Sequence, residues 1–133
     1  MAYTGTGYAD FTMDAYEDLS SDQYRIVVQD GTNGKVRRPN AATDIPIGVL
    51  QNAPSAEDEP AVIRPIGSGD ITKVVLGATL SYGAIIGCEY VGAADAGKAQ
   101  AAASTQYPCG LLILGGNEDD VGSMILSSIT VKA

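Results

Sequence analysis

The side chains of this chain that could do chemistry are carboxylates and little else. None of the 133 residues is histidine, which removes the commonest general base and the Ser-His and Cys-His nucleophile pairs. The acids gather in two runs, Glu57-Asp58-Glu59 and Glu118-Asp119-Asp120. A glycosidase needs two carboxyls fixed across a cleft, whereas these runs sit between apolar stretches and read as solvated turns. Asp30-Gly31-Thr32-Asn33-Gly34 and Asn117-Glu118-Asp119-Asp120 are rich in oxygen. Neither has the alternating acids and distal Glu of an EF-hand loop, so both are expected to be plain hairpin turns. Gly67-Ser68-Gly69-Asp70 leads into a strand, not into the helix that a phosphate loop requires. Cys88 and Cys109 are not spaced as a metal knuckle and are expected to be free, small core residues. The expectation is no catalytic residue, no metal, no cofactor and no enzymatic activity.

Charge narrows the partners. The formal net charge is −8 and the sequence pI is about 4.2, which argues against nucleic acid, since phosphate binding needs clustered Lys and Arg. The one basic cluster, Lys35, Arg37 and Arg38, is too small for such a footprint. No apolar run is long enough to span a membrane, and the N-terminus lacks the charged and apolar regions of a secretion signal. Synthesis in a reducing cytoplasm is expected.

The elements that would position any site are short strands. There are 16 Gly, no Trp and one Phe, a composition suited to a Val/Ile/Leu core with many tight turns. Gln23–Gln29 is expected as the first strand, and Lys35–Arg38 returns after the Asp30–Gly34 turn as a hairpin. Further strands are expected at Ile47–Asn52, Ala61–Ile66, Ile71–Leu76, Ala84–Val91, Lys98–Ala101, Cys109–Leu114 and Gly122–Val131. In the last, Met124, Leu126, Ser128 and Thr130 face opposite to Ile125, Ser127, Ile129 and Val131. Asp14–Leu19 is expected to make one helical turn.

The chain also repeats itself. Asp44-Ile45-Pro46-Ile47-Gly48-Val49-Leu50 returns as Gln106-Tyr107-Pro108-Cys109-Gly110-Leu111-Leu112, sixty-two positions later. In the same register Asp58 falls on Asp120, and Ala61-Val62-Ile63 on Ser123-Met124-Ile125. One residue of slack upstream brings Gly34-Lys35 onto Gly97-Lys98. Two similar β-units that bury their apolar faces together follow from this pattern. The Ala-rich piece Ala99–Ala103 is read as extended, because Ala101 falls on Pro39.

Residues 1–20 read differently from the rest. They hold no sustained period, yet four of the chain's eight aromatics, Tyr3, Tyr8, Phe11 and Tyr16, lie here. Aromatic side chains are common interface anchors. The expected organisation is an extended N-terminal arm, 1–20, and an all-β domain, 21–133, a β-sandwich or barrel-like fold built of units at about 24–66 and 86–131. The arm is expected to lie across a partner, the other possibility being that it folds back on its own domain.

Ile47-Gly48-Val49-Leu50, the acidic loop, Ala61-Val62-Ile63-Arg64, Leu80-Ser81-Tyr82-Gly83, Gly97-Lys98 and Pro108-Cys109-Gly110-Leu111-Leu112 follow in an order that resembles the capsid decoration (cement) proteins of tailed bacteriophages. The resemblance spans roughly residues 23–131 through diffuse Gly and apolar patterns. It implies a module on the outer surface of an assembled icosahedral head, stabilising it by bridging major capsid protein subunits, often as a homo-oligomeric trimer. It carries no catalytic residues, and Tyr3, Tyr8, Phe11 and Tyr16 become the candidate capsid contacts. The alternatives are a virion tail or fibre-base adaptor, a carbohydrate-binding β-module and, weakened by the missing histidine, an enzyme.

Overall fold

The computed structural model describes residues 2–127. Ten strands follow in order: β1 Phe11–Asp14, β2 Ile26–Gln29, β3 Val36–Arg37, β4 Pro46–Leu50, β5 Pro60–Pro65, β6 Ile71–Val75, β7 Ile85–Cys88, β8 Ala99–Ala101, β9 Gly110–Leu114 and β10 Val121–Leu126. No helix occurs among the described residues. The fold is all-β, as expected, with two antiparallel five-stranded sheets in the orders β1-β5-β4-β2-β3 and β6-β10-β9-β7-β8. The expected continuation of the last strand through Ser128, Ile129, Thr130 and Val131, like Met1, lies outside the described residues.

The two strand orders are the same order, five strands apart. Each sheet curls until its edge strands meet at a parallel bridge, Ala15 to Val36 in the first and Leu76 to Ala99 in the second. The amide of Tyr16 donates to Val36 O at 2.8 Å, and that of Gly77 to Ala99 O at 2.7 Å. Curling gives each unit an inner face and a core of its own. Ala15, Leu19, Val27, Val36, Leu50 and Ile63 fill the first. Val74, Leu76, Ile86, Cys88, Leu112 and Met124 fill the second. Burying such side chains is worth about 1.5–3 kcal/mol each. Gly48 and Gly110 answer each other as well. A Cβ on Gly48 would strike the carbonyl of Arg64, and one on Gly110 that of Ile125, so both Pro-led strands press against their neighbours at the same point.

The division expected at residue 20 is not where the structure puts it. Phe11–Asp14 pairs in register with β5, from Phe11↔Ile63 to Asp14↔Pro60, and Ala15 and Leu19 are fully buried. Nor do residues 14–19 make a helical turn. The amide of Ala15 donates to Glu59 O and that of Leu19 to Pro54 O, so tertiary partners hold this stretch extended against its local propensity. The first unit therefore begins at β1 and the second at β6.

The units join through two different surfaces. Ile26 and Val49, on the outer face of the first sheet, are 0% exposed and belong to the second unit's core cluster. They lie at the seam between β6 and β8. The amide of Ile26 donates to Gly97 O at 2.7 Å, and the amide of Val75 donates to Tyr24 O at 2.9 Å. Arg64 donates through Nη1 to Ile71 O at 2.7 Å.

Candidate interaction surface

The groups with chemical potential are spent on structure. The structure corrects the repeat register by one residue at the acidic loops: Asp58 matches Asp119 rather than Asp120, each with φ of 69°, and Ile63 matches Met124 rather than Ile125. Lys35 Nζ lies 2.8 Å from Asp58 and 2.9 Å from Glu57, while Lys98 Nζ lies 2.6 Å from Asp119 and 2.7 Å from Asp95. These carboxylates hold the lysines well above their ordinary protonation range. Asp30 accepts from the amides of Thr32 and Asn33, and the same amides lower its pKa. Both oxygen-rich segments are thus turns, and no group of acid or thiol side chains suited to a metal occurs among the described residues.

The basic cluster is neutralised from within. Arg37 spans Asp30 and Asp44, and Arg38 spans Glu17 and Asp22. Arg64 holds Asp10 at 2.9 Å. Lys73 sits 5.6 Å from the ring centre of Tyr24, a cation–π contact across the two units. Among the described residues Arg25, Lys35, Arg37, Arg38, Arg64 and Lys98 each pair with a carboxylate of the same chain, and the formal net charge is −8. Cys88 and Cys109 are free and buried. Burial pushes the Cys88 thiol up to about 11 and Cys109 higher still, so neither is a nucleophile near neutral pH.

The four expected contact aromatics are exposed but distributed over both units. Tyr3 is 52% and Tyr8 95% exposed. Residues ahead of β1 form a strap over the second unit. Ser123 Oγ, fully buried, accepts from the Tyr3 amide and donates to Tyr3 O. The amide of Gly5 donates to Ile71 O at 2.6 Å, and that of Gly7 to Asp70 Oδ2 at 2.8 Å. The strap folds back on its own chain with its backbone engaged and its aromatic rings outward. Phe11 lies on β1 of the first unit. Tyr16 faces a cleft of about 510 Å³ shared with Arg37, Arg38 and Tyr90. Tyr90 joins the site from the second unit, a partner that linear spacing does not reveal.

The fold is similar to that of a phage head component. The head fiber gp8.5 N base of bacteriophage phi29 superposes with a TM-score of 0.63 at 14% sequence identity. The match covers 93% of this chain and 98% of that one, so it embraces both units together. At that identity the likeness is one of fold. No protein-family model matches the chain, and no curated protein matches it.

Proposed function

We propose that this chain is a structural protein of a tailed-phage virion, bound on the outside of the head as a decoration protein that bridges neighbouring major capsid subunits. The observation that carries this reading is the end-to-end similarity of the two-unit fold to a head fiber base, over 93% of one chain and 98% of the other. The side chains agree with it. Asp30, Asp58, Asp119, Lys35, Lys98, Cys88 and Cys109 are tied into turns, ion pairs or core, while Tyr3, Tyr8 and Tyr16 present aromatic surface outward. Such rings supply contact area at low entropic cost. The net charge of −8 suits a basic patch on the shell, and trimers would let weak single contacts add up across a lattice.

The second reading is the base of a head fibre, favoured by the structural neighbour, itself the N base of a head fiber. Adding purified protein to heads that lack it tests both. Saturable binding at every equivalent lattice position supports decoration, binding at a few positions beneath a protruding fibre supports the base, and no binding to heads rejects both.

A further inference from the structure

The joint between the two units is head-to-tail, and the counterparts of its two surfaces lie outside it, the β6 end of one being crossed by the strap through Ser123 and Ile71. The first unit contributes Tyr24, Ile26, Val49, Gln51 and Arg64, and the second contributes Ile71, Thr72, Val75 and the Ala94–Gly97 turn. By the shared strand order, the second unit's counterparts of the first set are Gly83, Ile85, Leu111, Ile113 and Ile125. None of these belongs to the second set, so the contact is heterologous rather than two-fold.

Ile85, Leu111, Ile125 and Ile71 stand directly opposite one another across four strands on the outer face of the second sheet, with Ile113 beside them on β9. They occupy the places held in the first sheet by Ile26, Val49, Arg64 and Asp10. There Ile26, Val49 and Arg64 are buried and Asp10 half-buried, the first two against a unit of this same fold. Here all five residues are only half-buried, and none packs against the core cluster beneath them. The complementary surface recurs too. The counterparts of Val75 and the Ala94–Gly97 turn are Asp14 and the Gly31–Gly34 turn, beside the β1–β3 seam. Asp14, Gly31, Thr32 and Asn33 are exposed.

We infer that the Ile85–Leu111–Ile125 face of one copy docks on the β1–β3 seam of a second copy, repeating between chains the joint that already exists within one. A row of apolar residues, where the first unit has an Arg–Asp pair, fits burial in a permanent contact. Closure of such a contact gives a ring, and this holds whether or not the chain belongs to a virion.

The test uses the full chain with two variants, Leu111→Arg on the row and Asp14→Arg/Thr32→Arg at the seam, each checked for folding by circular dichroism and thermal melting. Mass measurement in solution is expected to give a multiple of the 13.7 kDa chain for wild type and monomer for each folded variant. An equimolar mixture of the two variants is expected to form a capped dimer, since each retains the surface the other lacks. A monomeric wild type, either folded variant assembling normally, or a mixture that stays monomeric would overturn the proposal. Should the seam variant alone fail to fold, Thr32→Arg by itself replaces it, the Thr32 side chain lying exposed on its turn.

Discussion

Asp58 and Asp119 are the same residue used twice. Each has φ of 69°, each donates its amide at 2.8 Å to the end of a first strand, Ala15 O or Leu76 O, and each carboxylate receives a lysine from the turn before a third strand. Left-handed backbone at a non-glycine residue costs little for Asp or Asn and more for a β-branched residue. Asp119→Val should therefore lower unfolding stability by about 1–3 kcal/mol, while Asp119→Asn, which keeps the conformation and removes only the exposed one of the charges in its pair with the buried Lys98, a lysine that retains Asp95, should stay within about 1 kcal/mol of wild type. Urea denaturation of both variants measures the difference.

Gly97 and Gly34 provide a second contrast. Both have positive φ, at 87° and 74°. A Cβ on Gly97 would lie 2.5 Å from Ile26 O at the joint between units, whereas one on Gly34 would meet nothing nearer than Gln29 Nε2 at 3.5 Å. Gly34→Ala should cost about 1 kcal/mol from the backbone alone. Gly97→Ala should cost clearly more in the same urea titration, because it also pushes the units apart. Equal losses would mean that the joint contributes little.

Much of this duplication was legible in the sequence. The Pro46–Leu50 and Pro108–Leu112 copies mark equivalent strands because Gly48 and Gly110 answer the same close backbone approach, a constraint that acts locally. β1 was not legible. Phe11-Thr12-Met13-Asp14 alternates weakly and ends on an acid, and what makes it a strand is its partner β5, far along the chain. Its one available signal was positional, since an offset of about sixty residues lays it on β6. The strap was half legible: the crowding of aromatics was plain, but its docking through Ser123 and Asp70 depends on side chains that only the fold brings close. The outer row could not be seen as a row, because Ile71, Ile85, Leu111 and Ile125 align only through strand register.

The strap should respond to acid. Backbone amides of Gly7 and Ile71 hold the Asp70 carboxyl below its ordinary value of 3.8, with Arg64 assisting. A carboxyl whose pKa is lowered by folding contributes stability above its unfolded value and loses that contribution as pH falls through the folded one. Hydrogen-exchange protection at Gly7 should be steady from about pH 5 to 7 and fall below about pH 4, while that of core amides such as Leu50 persists. In Asp70→Asn the fall should disappear.

Truncation separates strap from strand. Removing residues 2–8 should leave both sheets intact, since Asp10 and β1 remain, at the cost of the strap's hydrogen bonds to Ser123, Ile71 and Asp70, about 0.5–1.5 kcal/mol each. Removing residues 2–16 takes away β1 and the buried Ala15, and that protein should not give a cooperative thermal transition. Circular dichroism melts of the two truncations decide it.

The virion role is tested most directly by counting the chain in purified particles of its source phage, relative to the major capsid protein, by quantitative mass spectrometry. A copy number in fixed, lattice-wide proportion to the major capsid protein is the predicted result. Absence from washed particles, or a handful of copies confined to one vertex, would contradict it.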